Sequence, residues 1–214
     1  MKKFTVLLLS VAMAFTCIGC GKTEDKDKTD KTNKTENQGN SVSDVEIKDA
    51  TEVLAKTWEE YNNAVSEELK FPVGGGNIEN FELVVMDTAG KCDTSLEGAK
   101  DALSVSFCIP TEAIDMTDDV ATMMNMMMAN NFSSAAYHIA DKANVEKVVA
   151  DIKDTTLKNQ WMCGFPEKLI IVTVNGDYVV SAFGNGQVID AFKKAITTVY
   201  DDAAVVSVEE NLAQ

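Results

Sequence analysis

The chain contains no arginine, so all 19 of its basic residues are lysines. Bidentate clamps on phosphate or carboxylate groups need the planar guanidinium, and sites of that kind are therefore excluded. From residue 49 to the end, 11 lysines stand against 27 acidic residues, a formal net charge of −16. Nucleic-acid binding depends on basic clusters that neutralise phosphates, and this acidic surface would repel the backbone. Nucleic acids are thus excluded as partners, whereas cations and basic partners suit the charge.

Histidine is also nearly absent, since His138 is the only one in the chain. A Ser–His or Cys–His hydrolase would have to use it as the base. No Gly-x-Ser-x-Gly motif surrounds a serine, and no Asp-x-Asp-x-Asp run indicates a calcium loop. The glycines at 74–76 lack the Gly-Lys-Ser/Thr of a nucleotide loop and are interpreted as a flexible turn. We predict no catalytic residue and no cofactor, with a cell-wall hydrolase using His138 as the third functional hypothesis.

After position 20 the chain has three cysteines, an odd number, namely Cys92, Cys108 and Cys163. An odd set leaves at least one thiol unpaired within the chain, and which of the three pair, if any, stays open. No Cys-x-x-Cys motif occurs after Cys20, which argues against a thioredoxin-type redox centre. We interpret these residues as buried free cysteines.

The first twenty residues have the pattern of an export signal. Lys2 and Lys3 precede an apolar run over residues 4–16, and the run ends at Cys17-Ile18-Gly19-Cys20. The run is too short to span a bilayer, which takes about 20 apolar residues. A cysteine directly after Gly19 is typical of bacterial lipoproteins, in which the thiol is lipidated before cleavage. We predict a signal peptide at residues 1–19 and lipidation at Cys20, with an ordinary signal peptide and a released product as the alternative.

Residues 20–44 are predicted to be the lipidated cysteine and a charged tether. Residues 21–40 contain no apolar side chain and alternate lysine with acidic residues, so burial cannot offset the entropy of ordering them. Residues 45–214 have the length of one folding unit. The predicted location is the outer face of the cell membrane, held there by the lipid anchor.

Several local patterns indicate an α+β fold. A capped helix begins after Asp49, with Leu54, Trp58 and Tyr61 on its apolar face. Residues 169–183 form two strands around Asn175-Gly176, the pattern of a hairpin with a type I′ turn. Helices are predicted at residues 144–160 and after Asn185-Gly186, and a closing edge strand at 203–208. We predict a mainly antiparallel sheet with about four helices packed on one face.

Further segments complete this prediction. Residues 81–86, 103–109 and 132–140 are predicted strands, the second because its apolar residues alternate with period two. A helix is predicted from Thr117, with Val120, Met123, Met124 and Met127 as its apolar face.

This methionine-rich segment has the most unusual composition in the chain. Thioether sulfurs are soft ligands for Cu(I), and Met123 and Met127 would stand one turn apart on a helix, with His138 as a further ligand. A copper-handling lipoprotein is therefore the alternative function. Methionines at helical spacing more often fill a core or a protein interface. We therefore predict no metal site, and we predict that a protein partner binds through the Met-rich helix.

The order of these elements resembles a known family. The methionines at 126–128, the segment 137–141 and the Gly-x-Tyr-Val-Val strand at 176–180 are similar to an uncharacterised family of Gram-positive bacterial lipoproteins that carry a domain of unknown function. The likeness covers about residues 118–200. It implies the fold and the surface location, and it transfers no catalytic residue.

The sequence therefore predicts a lipid-anchored, extracytoplasmic protein without enzymatic activity. Its predicted role is to bind a partner, such as a membrane complex, or a small ligand. The length argues against an ordinary transporter substrate-binding protein, which needs two lobes.

Overall fold

The fold is known from a computed structural model, which describes residues 46–161 and 164–212. The described strands are β1 Val73–Gly76, β2 Val84–Met86, β3 Gly90–Lys91, β4 Thr117–Asn125, β5 Phe132–Ile139, β6 Lys168–Val174, β7 Tyr178–Gly184 and β8 Ala204–Glu210. The described helices are α1 Ala50–Ala64, α2 Ala99–Phe107, α3 Thr111–Ile114, α4 Val145–Lys158 and α5 Gly186–Val199.

All eight strands belong to one sheet. The order across it is β2-β1-β4-β5-β7-β6-β8, and β3 pairs with β4 beside β1. Every one of these pairings is antiparallel. The predicted α+β class with a mainly antiparallel sheet is confirmed.

The helices, however, cover both faces of the sheet, so the prediction that they pack on one face is wrong. Side chains alternate between the two faces along a strand. In β4, Ala121 and Met123 join a core cluster with α1 and α5, whereas Val120 and Met124 join a second cluster with α2, α3 and α4. The continuous burial of β4 from Val120 to Met124 agrees with this cover on both sides.

The glycines at 74–76 form the buried strand β1, so the flexible turn predicted for them is wrong. A Cβ atom on Gly75 would lie 2.0 Å from the carbonyl oxygen of Thr122 and 2.3 Å from the amide nitrogen of Gly90. Only a glycine permits β1 and β3 to approach each other this closely where both pair with the same edge of β4.

Several local predictions are confirmed. The side chain of Asp49 accepts a hydrogen bond from the Glu52 amide and caps α1. Asn175 and Gly176 both have positive φ, +53° and +71°, as a type I′ turn between β6 and β7 requires. The helices α4 and α5 and the edge strand β8 lie where the sequence placed them.

Residues 103–109 were predicted as a strand, but most of them lie in α2. Leu103 and Phe107 are buried and four residues apart, which is one helix face, whereas Val105 between them is 79% exposed. The alternation of Leu103, Val105 and Phe107 is typical of a strand, but Leu103 and Phe107 by themselves also fit one helix face, and the exposure of Val105 decides for the helix.

The predicted helix from Thr117 is also wrong, because this segment is β4. Five consecutive residues from Val120 to Met124 are buried, with successive side chains on opposite faces of the sheet. A continuous apolar run of this length does not distinguish a doubly buried strand from a helix. Of residues 81–86, only Val84–Met86 form a strand, β2, at the edge of the sheet.

The predictions for residues 1–45, including the signal peptide, Cys20 and the tether, lie outside the described residues. None of the helices in the described ranges is long and apolar enough to cross a membrane.

Candidate functional site

The residues singled out in the sequence lie at opposite ends of the sheet. His138 pairs with Asp119 near the beginning of β4, and the methionines at 126–128 follow the end of β4 at Asn125. Six residues along a strand span about 20 Å. His138 and Met127 therefore belong to different sites.

His138 lies between two carboxylates. Its Nδ1 atom is 2.5 Å from Oδ1 of Asp118, and its Nε2 atom is 3.9 Å from Oδ2 of Asp177. The imidazole also packs on the ring of Tyr178, and Lys142 binds Asp177 at 2.9 Å. In the described part of the chain, no serine, threonine or cysteine side chain is bonded to this histidine. The arrangement holds the β4–β5 end of the sheet to the β6–β7 turn, and among residues 46–161 and 164–212 it includes no nucleophile of the kind that a hydrolase needs.

The copper ligand set of the alternative hypothesis is not brought together. Met123 is fully buried among α1 and α5, whereas Met127 is exposed in the turn after β4. Without a helix at this position, the one-turn spacing of the two sulfurs does not exist. Within residues 46–161 and 164–212, no group of three or more histidine, cysteine or acidic side chains is placed to hold a metal ion.

Two of the cysteines are buried free thiols. Burial raises the pKa of Cys92 to about 12, with Glu79 and Asp93 adding to the shift, and burial raises the pKa of Cys108 to about 11. At neutral pH both sulfurs are therefore protonated and poor nucleophiles. Cys163 lies outside the described residues.

This chemistry predicts the thiol reactivity of the folded protein. In a chain of residues 21–214 with Cys163→Ser, we expect Cys92 and Cys108 to remain unlabelled by Ellman's reagent at pH 8. The thiolate fraction of Cys108 would be about one thousandth at that pH, and neither sulfur is exposed. Both should react fully in guanidinium chloride. Rapid labelling of one thiol in the folded chain would contradict this burial.

The turn between β4 and β5 is fixed by Asn125. Its side-chain oxygen accepts hydrogen bonds from the amides of Met127 at 2.8 Å and Met128 at 3.1 Å. The Asn131 amide then donates to the Met128 carbonyl at 2.8 Å, which closes a short 3₁₀ turn. Because the backbone groups are satisfied inside the turn, the side chains of Met127 and Met128 point outward, and they are 79% and 62% exposed.

A second segment, residues 164–167, lies opposite this turn. The side chain of Asn130 donates to the Gly164 carbonyl at 3.2 Å. Oε2 of Glu167 accepts a hydrogen bond from the Gly186 amide at 2.8 Å, which anchors the segment to the first turn of α5. Phe165, between these two anchors, is 66% exposed.

The two segments and Asn185, the residue before α5, line an open cavity of about 540 Å³, which we name the Met127–Phe165 cleft. Its apolar lining is Met127, Met128, Ala129 and Phe165, and its polar lining comes from asparagine side chains and Glu167. The residues around it are Met127, Met128, Ala129, Asn130, Asn131, Gly164, Phe165, Glu167 and Asn185.

The backbone around the cleft is tightly packed. Gly184 has φ +156°, and a Cβ atom there would lie 2.1 Å from the Asn131 carbonyl oxygen. The same carbonyl accepts a hydrogen bond from the Asn185 amide at 2.9 Å. The end of β7 is thereby joined directly to the turn after β4, so the floor of the cleft is preformed.

Sequence reasoning identified the methionines but missed Phe165, Glu167 and Asn185. The signal available was the three asparagines at positions 125, 130 and 131 around the methionines at 126–128, which favours a turn rather than a helix. No sequence pattern connects residues 164–167 with this turn, because β5 to β7 bring them together in space.

No known protein family, curated protein or solved structure matches the chain. The resemblance to the lipoprotein family therefore stays a prediction.

Proposed function

We propose that this chain is a non-enzymatic binding module, anchored by a lipid on Cys20 to the outer face of the cell membrane. Its binding site is the Met127–Phe165 cleft, which takes an apolar ligand or the apolar group of a partner. The observation that carries the proposal is the group of three large apolar side chains, Met127, Met128 and Phe165, exposed around one cavity.

Exposed apolar side chains are common when they are scattered, but here they surround a concave site. The cavity volume lies within the range of about 300–1,000 Å³ that is usual for ligand sites. Methionines suit such a role, because the flexible thioether adapts to the shape of the bound group. The exposure of Met127 and Met128 supports a binding surface here, although the predicted Met-rich helix is the strand β4 and the turn after it.

The proposed location depends on the sequence around Cys20. A lipid there and a charged tether of about twenty residues would hold the folded part near, but off, the membrane surface. A cleft at one end of the sheet would then be accessible from outside the cell. The copper and hydrolase hypotheses gain no support from the arrangement of Met123, Met127 and His138.

The proposal is tested with an uncharged apolar probe. A chain of residues 21–214 keeps every described contact, and we expect it to bind Nile red saturably with one site. Changing Met127 and Met128 together to serine should weaken this binding about tenfold, because roughly 1.4 kcal/mol of apolar contact is lost. The measurement is a fluorescence titration at constant protein concentration.

The matched controls are Val105→Ser and Phe81→Ser. Val105 is 79% and Phe81 71% exposed, so each change removes a comparable exposed apolar side chain outside the cleft. Both variants should bind Nile red as the parent chain does. Equal loss in the controls, or no loss in the double variant, would refute the cleft as the binding site.

A further inference from the structure

We infer that the ligand of the Met127–Phe165 cleft is an organic cation, an ammonium group that carries an apolar body. This inference deepens the proposed function and rests on it. It follows from the placement of a single hydrogen-bonded carboxylate, an exposed aromatic side chain and two thioethers around one cavity.

The charge of the cleft has one sign. Glu167 is the only charged residue among the described side chains that line it, and no lysine does so. The neighbouring Lys168 is held by other acids, since its Nζ atom lies 2.9 Å from both carboxylate oxygens of Asp190 and 3.2 Å from Oε1 of Glu210. Lys168 therefore brings no uncompensated positive charge to the cleft.

The carboxylate of Glu167 is held in position. Oε2 accepts the hydrogen bond from the Gly186 amide, and the side-chain amide of Asn185 lies 3.4 Å from both oxygens. Oε1 has only that long contact among the described residues. A carboxylate accepts about four hydrogen bonds, so Oε1 retains the capacity to receive a cation.

The rest of the lining suits the apolar body of such a ligand. The face of Phe165 attracts a cation through the ring quadrupole, and polarisable sulfur atoms of Met127 and Met128 pack against methyl or methylene groups. An anion in the cleft would be repelled by Glu167, and no basic residue lines the cleft to compensate. The formal net charge of −16 on residues 49–214 adds to this repulsion. Phosphate and carboxylate ligands are therefore disfavoured.

The test compares three probes that share a bulky tetrahedral head, namely choline, its uncharged isostere 3,3-dimethylbutan-1-ol and the anion 3,3-dimethylbutanoate. They are titrated into residues 21–214 labelled with ¹³C on the methionine methyl groups. We expect the methyl signals of Met127 and Met128 to shift with choline at about fivefold lower half-saturation than with the alcohol. The buried Met123 signal should stay unchanged, and the anion should cause no shift.

Two variants identify the groups that select the cation. Glu167→Gln keeps an oxygen for the Gly186 amide and should bring choline and the alcohol to within about twofold of each other. Phe165→Leu keeps an apolar side chain at an exposed position and should weaken choline binding more than alcohol binding. Glu112→Gln, an equal change in net charge on α3, should leave the selectivity intact.

Each outcome decides the inference. If choline and the alcohol reach half-saturation at the same concentration at these methyl groups, the inference of a cationic ligand is wrong, whereas the cleft is still a binding site. Selectivity that persists in both Glu167→Gln and Phe165→Leu also overturns it. If no probe shifts the methyl signals of Met127 or Met128, the inference of a cationic ligand is also wrong. The Nile red titration then tests the proposed function independently.

Discussion

Replacing Phe132 with alanine is expected to lower the free energy of unfolding by about 4 kcal/mol. Phe132 is fully buried at the beginning of β5. Its ring centroid lies 5.6 Å from Trp58, 5.6 Å from Phe71 and 5.2 Å from Phe192. The substitution would open a cavity where α1, α5 and the sheet meet and would remove three aromatic contacts at once.

The measurement is thermal and urea unfolding of residues 21–214. A loss of about 4 kcal/mol corresponds to roughly 8–16 °C in the midpoint for a chain of this size. The matched control is Phe81→Ala, because Phe81 is 71% exposed, and its free energy of unfolding should change by no more than about 0.5 kcal/mol. Similar midpoints for the two variants would mean that the aromatic cluster does not form as described.

Local signals predicted the elements whose boundaries are fixed by short-range chemistry. The Asp49 cap, the Asn175-Gly176 turn and the Asn185 cap each act within a few residues, so their effect is visible in the sequence. The hairpin β6–β7 and the helices α1 and α5 follow from them. These elements were sufficient for the fold class.

The error at β4 has one cause, which is burial on both faces. A strand in the middle of a sheet covered on two sides loses its polar alternation, as in β4, where Met123 and Met124 enter different cores. The sequence of such a strand then resembles a helix. In α2 the opposite error arises, because its apolar residues alternate as in a strand although Val105 is exposed on a helix.

The candidate site could be predicted only in part. Composition drew attention to Met127 and Met128, but their exposure results from the hydrogen bonds of Asn125. Phe165 and Glu167 follow in the sequence almost forty residues later, and they reach the cleft because β5, β7 and β6 are neighbours. Such non-local contacts have no local pattern, so the cation-selective chemistry inferred for Glu167 emerges only from the fold.

The proposed location makes the second large prediction, which concerns Cys20. Two acyl chains hold a protein stably on a membrane, whereas one chain gives marginal binding, because each buried methylene contributes about 0.8 kcal/mol. In cells that make the full chain, we expect the parent protein in the membrane fraction and labelled by radioactive palmitate. Cys20→Ala should abolish the label and leave the chain either as uncut precursor or released into the medium.

Cys17→Ala is the matched control, since Cys17 lies three residues before Cys20 in the same segment. Cys17 follows Phe15-Thr16, which offer no small residue for the cut, so this variant should be processed, labelled and retained like the parent. Palmitate labelling, precursor size on gels and the distribution between membrane and medium are measured together, because an uncut precursor would also stay with the membrane. Normal processing, labelling and retention of Cys20→Ala would refute the anchor. Loss of labelling in Cys17→Ala alone would move it to Cys17, three residues earlier, and would lengthen the tether by the same three residues.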